Sequence, residues 1–161
     1  MTIPLDTRSV LEAWNLSDVT SSMMPATGSI HQTLLLQTTT GDYVLRAYRH
    51  RDRRRVESEH SLITHVRQHG LPAVAPLSSR HGTTILEQAG HFYAVFPRAS
   101  GRQFDRQEFG PTEIAAMGRC LAILHRALAS FPHDRVWHRS WAVDTATTLV
   151  CGRMTYGCMK R

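Results

Sequence analysis

Very short turns join several strand-like runs of this chain, and this feature limits its fold more than any other. The turn TTGD at residues 39–42 precedes the run YVLRAY, and Ala89-Gly90 separates TTILEQ from HFYAVFPRA. Turns of this length connect antiparallel neighbours, whereas parallel neighbours need a crossover of a dozen or more residues. The sequence therefore predicts a sheet that is largely antiparallel.

Helical spacing of apolar residues marks the segments around these strands. LDTRSVLEAWNL reads as a short opening helix, and residues 54–69 read as a second helix that ends before Gly70. The clearest helix runs from Pro111 to about Ser130. Its apolar stripe consists of Ile114, Met117, Leu121, Leu124 and Leu128. The predicted order is helix, three strands, helix, two strands and helix.

Length and composition suit one folded domain. The chain has 161 residues, of which 42% are hydrophobic, so it can bury a core without a disulfide or metal. No stretch approaches the roughly 18 uninterrupted apolar residues of a membrane-spanning helix. We therefore expect a cytoplasmic protein.

Five local motifs occur in the order and spacing of a known family. They are GDYVLRAYRH, ESEHSLITHV, GLPAVAPL, HFYAVFPRASGR and MGRCLAILHRAL. Over roughly residues 15–130 the chain resembles the aminoglycoside phosphotransferase and homoserine/choline kinase-like family. The resemblance implies an α+β fold, namely a protein-kinase-like N-terminal lobe with one helix inserted into a five-stranded antiparallel sheet. It implies a lobe at 1–99, a hinge exit and first C-lobe helix at 100–130, and a tail of unclear structure at 131–161.

The resemblance also implies an ATP-binding phosphotransferase. In that family a basic residue of the third strand holds the ATP phosphates, and a glutamate of the following helix orients it by an ion pair. Arg46 occupies the strand position and Glu59 the helix position. Lysine is more common on the strand, and arginine keeps the charge with a larger planar head.

Four further residues match nucleotide-binding positions of the family. Gly28 and Ser29 lie in PATGSIHQ, where the loop that covers the phosphates is expected. In FPRASG the carbonyl of Pro97 and the N–H of Ala99 would bond the adenine ring. Proline is compatible at the first position because its missing N–H is not the group used.

The catalytic motifs of the family have no match in the sequence. The family carries His-Gly-Asp followed five residues later by Asn, and then a metal-binding Asp, which together position the hydroxyl and hold Mg²⁺. The single asparagine is Asn15, and neither Asp134 nor Asp144 has the expected flanking pattern. We expect a truncated or frameshifted chain that keeps nucleotide-binding elements without Mg²⁺ ligands. Its acceptor, a hydroxyl of an aminoglycoside, homoserine or choline-like molecule, is left open.

Three other interpretations rest on single features. A net charge of +6 and the arginine run at residues 46–55 fit a small nucleic-acid-binding α+β module, although no aromatic residues are interleaved as stacking platforms. His65 and His69 lie four residues apart, but no third metal ligand is evident. The apolar stripe of the helix at 111–130 favours self-association.

Overall fold

A computed structural model describes residues 7–16, 18–25, 31–101 and 106–137. The chain divides into two compact units, Met1–Phe131 and Pro132–Arg161. The helices of the first unit are α1 Thr7–Glu12, α2 Arg53–Gln68 and α3 Pro111–Ala129. Its strands are β1 Val19–Met23, β2 Gln32–Thr38, β3 Gly41–Ala47, β4 Leu86–Gln88 and β5 His91–Pro97. In the second unit, the described part contains one 3₁₀ turn, His133–Arg135.

Within the described residues, the five strands form one sheet in the order β1-β2-β3-β5-β4, and every pairing is antiparallel. The helix α2 is inserted between β3 and β4. Ala89 and Gly90 make the β4–β5 turn with positive φ angles of 51° and 71°, as a tight hairpin requires. The predicted α+β fold, a protein-kinase-like N-terminal lobe, is confirmed.

The strand predicted at residues 83–88 is shorter than expected, because β4 begins only at Leu86. The carbonyl of Thr83 accepts a hydrogen bond from the N–H of Ser79 at 2.7 Å. The hydroxyl of Thr83 donates to the carbonyl of Ile85 at 3.0 Å. These local bonds hold Thr83 in the loop that precedes β4.

The two faces of the sheet bury different side chains, since successive residues of a strand point to opposite faces. On one face, Leu36, Leu45 and Val95 pack with α1, whose Val10 is also buried. The other face carries a second apolar cluster beside α2. Its buried members are Tyr48, Val56, Ile85, Phe92, Ala94 and Phe96. Arg46 lies on this second face, two residues before Tyr48.

A side chain at its N-terminus stabilises α2. Asp52 caps the helix, and its carboxylate accepts from the N–H groups of Arg54 at 3.0 Å and Arg55 at 3.4 Å. At the other end of α2, Nε2 of His65 lies 2.9 Å from the carbonyl of Ala127 in α3. The cap and this contact fix the helix that carries Glu59.

The apolar stripe of α3 is only partly covered. Among the described residues Ile114, Met117 and Leu121 are exposed by 61%, 58% and 52%, whereas Ala127 beside α2 is fully buried. No helix in the described ranges has both the length and the apolar character that crossing a membrane requires.

Candidate functional site

Arg46 and Glu59 meet on the face of the sheet that carries α2. Arg46 is the sixth residue of β3, and its partner across the β2–β3 pairing is Thr33. The Nη1 atom of Arg46 lies 2.6 Å from Oε1 of Glu59, and both side chains are about a third exposed, at 30% and 31%. The structure thus joins two of the residues that the sequence analysis assigned to the phosphates.

Aromatic rings hold the guanidinium of Arg46 from a second side. Its Cζ atom lies 4.7 Å from the ring centroid of Phe96 and 5.9 Å from that of Tyr48. A guanidinium within about 6 Å of an aromatic face is attracted by the ring. The carboxylate and these rings together restrict its rotamers, which leaves a cation of defined orientation at the edge of the core.

Behind Arg46 lies a buried hydrogen-bond chain that the sequence analysis did not predict. The hydroxyl of Tyr48 lies 2.9 Å from Nε2 of His60, and Nδ1 of His60 lies 2.7 Å from Oγ1 of Thr84. Tyr48 is fully buried and His60 is 5% exposed. The one sequence signal is that His60 follows Val56 by four residues, so both lie on the buried face of α2.

Burial keeps both members of this chain uncharged. It raises the pKa of Tyr48 well above its usual value, and the nearby Glu59 carboxylate raises it further. Burial also lowers the pKa of His60 to about 4, with a smaller contribution from the positive charge of Arg46. At neutral pH the imidazole and the phenol are therefore neutral, and either histidine tautomer satisfies both ring nitrogens.

Two more histidines pack around Tyr48, and sequence reasoning did not single them out. The ring centroid of His31 lies 4.8 Å from that of Tyr48 and 5.4 Å from that of His50. The centroid of His50 lies 5.4 Å from that of Tyr48. His31 directly precedes β2, so it follows the segment that contains Gly28 and Ser29.

The remaining predicted positions fall in two places. Gly28 and Ser29 lie outside the described residues. Pro97 ends β5 and pairs with Tyr43, whereas Ala99 is exposed two residues further on. Arg46 pairs with Ala94, which lies three positions before Pro97 in β5. Along the strand direction, Arg46 and Pro97 are therefore about 10 Å apart.

Most arginines of the run at residues 46–55 are exposed. This exposure is compatible both with a solvated surface and with binding to a large anion such as nucleic acid. Arg49, Arg51 and Arg54 are exposed, whereas Arg55 is half-buried. Arg53 bonds Glu57 at 2.8 Å and Glu87 at 3.4 Å, so part of the run is committed to ion pairs. Arg46, by comparison, is oriented by both a carboxylate and aromatic rings.

The described ranges contain no group of three or more histidine, cysteine, aspartate or glutamate residues that could hold a metal ion. This includes His65 and His69, whose ring centroids are 4.1 Å apart. Both Nε2 atoms instead approach Oγ of Ser130, at 3.2 and 3.3 Å.

An antiparallel five-stranded sheet, a helix inserted after the third strand, and an Arg–Glu pair between them define a protein-kinase-like N-terminal lobe. The model of the phosphotransferase enzyme family, which includes the aminoglycoside phosphotransferases, matches residues 25–150. The chain belongs to this family, and the resemblance found in the sequence is confirmed.

Relatives in this family are kinases. The chain is 26% identical over 138 residues to homoserine kinase of Methylobacillus flagellatus, covering 84% of this chain and 43% of that protein. It is 32% identical over 122 residues to homoserine kinase of Brucella anthropi, covering 75% and 37%. It is 35% identical over 71 residues to stress response kinase A of Salmonella typhi, covering 44% and 21%. The chain thus spans about two fifths of the homoserine kinases or less.

Solved structures share the fold at low sequence identity. The amicoumacin kinase hAmiN, in complex with AMP-PNP, Ca²⁺ and Ami, superposes with a TM-score of 0.69 at 16% identity, covering 86% of this chain and 45% of that one. A spectinomycin phosphotransferase, in complex with ADP and spectinomycin, gives 0.66 at 13% identity, covering 80% and 39%. Since both identities are below 25%, these likenesses establish the fold alone.

Proposed function

We propose that this chain is the nucleotide-binding part of a phosphotransferase that acts on a hydroxyl of a small molecule, and that it binds ATP between Arg46 and the end of β5. The observation that carries the proposal is the 2.6 Å ion pair between Arg46 and Glu59. The Glu59 carboxylate and the Phe96 ring hold the Arg46 guanidinium in one orientation. It lies on the face of the sheet that carries α2, where the phosphates would bind.

Arg46 is chemically suited to phosphate. A guanidinium is planar, always charged at physiological pH, and offers several N–H donors that match phosphate oxygens in pairs. Glu59 bonds one terminal nitrogen and leaves the charge partly compensated, so the side chain is preorganised before the anion arrives. This arrangement supports a role in holding the β- and γ-phosphates.

The end of β5 suits the nucleotide base. Val44 lies on the same face as Arg46, two residues earlier, and is packed against the apolar cluster that includes Phe96. The Pro97 carbonyl and the Ala99 N–H follow at the end of the strand, where the family places its adenine contacts. Gly28 and Ser29 would supply backbone N–H groups above the phosphates.

The 161 residues lack the His-Gly-Asp and Asn pattern that phosphoryl transfer uses in this family. We therefore propose that they bind the nucleotide without transferring its γ-phosphate. Relatives of the chain include homoserine kinases. For a complete enzyme of this family, we propose that the phosphate acceptor is a hydroxyl group of an amino alcohol or of an aminoglycoside-like compound.

Isothermal titration calorimetry with ATP at about 150 mM salt tests the nucleotide site. Arg46→Met should weaken binding at least tenfold, whereas Arg46→Lys should weaken it less because the charge remains. Arg80→Met is the matched control, since Arg80 is an exposed loop arginine outside the site. Equal affinities of wild type and Arg46→Met would contradict the proposal.

The alternative, a nucleic-acid-binding module, rests on the exposed arginines that follow β3. Its binding should fall steeply with salt, because phosphate contacts release counterions. Titration with a short DNA duplex at low and moderate salt separates the two functions. Duplex binding at low salt that falls steeply towards about 150 mM salt, without ATP binding, would favour this alternative.

A further inference from the structure

His31 and His50 lie beside the proposed phosphate site, yet the family match assigns them no role. Their rings are 5.4 Å apart and both pack on Tyr48, whose ring the Arg46 guanidinium also approaches, at 5.9 Å. His31 lies just before β2, opposite the end of β3, and His50 lies just before α2. The start of β2, together with the end of β3 and the turn that follows it, therefore brings two imidazoles and a guanidinium together.

The charges around His31 are predominantly positive. Burial lowers the pKa of His31 to about 4, and the charges of Arg46, His50, Arg55 and Arg49 lower it further, in that order. Burial likewise lowers the pKa of His50, followed by Arg55, while Asp52 opposes these effects. A cluster of this kind repels further protons when empty and attracts anions.

His50 differs from the third histidine of the region. Both ring nitrogens of His60 have hydrogen-bond partners, so packing accounts for that residue. Both ring nitrogens of His50 are buried, and neither has a partner with good hydrogen-bond geometry among the described residues. The Asp52 backbone makes only a weaker contact, which raises the pKa of the imidazole. Buried polar atoms normally have partners, so an unsatisfied imidazole beside an oriented guanidinium suggests a polar ligand.

We propose that His31 and His50 extend the phosphate site beside Arg46, and that binding of the nucleotide phosphates draws protons onto this imidazole pair. The inference rests on the proposed function, because the anion is the phosphate chain of the nucleotide. Imidazolium groups donate charge-assisted hydrogen bonds to phosphate oxygens, whereas neutral imidazoles would each offer one N–H.

The direction of the pH effect follows from linkage. Lowered pKa values keep both histidines of the empty site mainly neutral at pH 7 and above, and the bound phosphates favour their protonated forms. Each proton taken up strengthens binding by up to tenfold for each unit of decrease in pH. The affinity for ATP should therefore rise as the pH falls from 8 to 6.

Calorimetric titration with ATP at pH 6, 7 and 8, in buffers of different ionisation enthalpy, measures affinity and proton uptake together. The wild type is compared with the double variant His31→Gln/His50→Gln, which keeps polar side chains but cannot titrate. The γ-phosphate of ATP titrates equally with the wild type and with the double variant. The difference in proton uptake between the two proteins therefore reports on the histidines. The exposed His81→Gln is the matched control.

We expect the wild type and His81→Gln to take up about one more proton than the double variant and to show a steeper pH dependence. A folded double variant that no longer binds ATP at any pH would also support the role. Identical pH profiles and proton uptake would overturn the inference while leaving the nucleotide site intact. Failure of the wild type to bind ATP would overturn both proposals.

Two further arms complete the test. Tripolyphosphate should show the same difference between wild type and double variant, and loss of that difference would assign the effect to the base or ribose. Circular dichroism melting checks folding, and if the double variant does not fold, the single His50→Gln variant must reproduce part of the difference. A folded single variant with the wild-type profile would refute the assignment of His50.

Discussion

Acid should destabilise this protein through His60, and the structure gives the sign and size of the effect. The imidazole is only 5% exposed, and its two ring nitrogens lie 2.9 Å from the Tyr48 hydroxyl and 2.7 Å from the Thr84 hydroxyl. A proton added to the ring would have to be buried beside the positive charge of Arg46. The folded state therefore resists protonation of this residue.

The magnitude follows from the two pKa values. Burial lowers the pKa of His60 from 6.5 to about 4, so between these values the unfolded chain binds the proton and the folded chain does not. Stability therefore rises with pH across this window and is lost as the pH falls. At about 1.4 kcal/mol per unit, lowering the pH from 7 to 5 should remove about 2 kcal/mol of unfolding free energy through this residue.

Urea unfolding followed by circular dichroism at pH 7 and pH 5 measures the effect. His31 and His50 also have lowered pKa values and contribute in the same direction, so the wild-type change alone does not isolate His60. The variant His60→Gln should show a loss between the two pH values that is smaller by about 2 kcal/mol. The exposed His81→Gln should behave as wild type. An unchanged pH dependence in a folded His60→Gln variant would refute the reasoning.

Further predictions concern the ion pair, the helix cap and α3. Glu59→Gln should cost less than about 1 kcal/mol of stability, because its pair with arginine is about a third exposed, yet it should weaken ATP binding in calorimetry. Unchanged affinity would argue against the orienting role of Glu59. Asp52→Ala should lower the free energy of unfolding by about 1 kcal/mol in urea unfolding, because it removes two hydrogen bonds that cap α2. The control Asp42→Ala removes an exposed ion pair and should cost less. Equal losses would contradict this. Leu121 is 52% exposed, so Leu121→Glu should reduce self-association in sedimentation velocity without unfolding the chain. A wild type that sediments as a monomer would refute that prediction.

The order of elements could be predicted because local signals agree with it. Short turns such as Ala89-Gly90 admit only antiparallel neighbours, and the helix spacing after Gly110 matches α3. The limits of β4 could not be predicted, because the competing bonds of Thr83 depend on where Ser79 lies. The exposure of the α3 stripe likewise depends on which elements lie beside it.

The candidate site divides in the same way. Arg46 and Glu59 were found from motifs whose order resembles a family. They are 13 positions apart, and the strand end, turn and helix between them bring them together. His31, His50 and His60 carry no motif. Thr84 is 24 residues from its partner His60, so no local pattern could indicate the bond between them.

That a strand arginine and a helix glutamate would be available to each other was an expectation from the family resemblance. The sequence by itself determined that a largely antiparallel sheet with helices before, between and after its strands would form. These features depend on local turns and on side-chain periodicity, which short stretches of chain encode. Only the tertiary structure decided that three histidines gather around Tyr48 beside Arg46. Their positions follow from strand register and from the docking of α2, because contacts between distant segments set both.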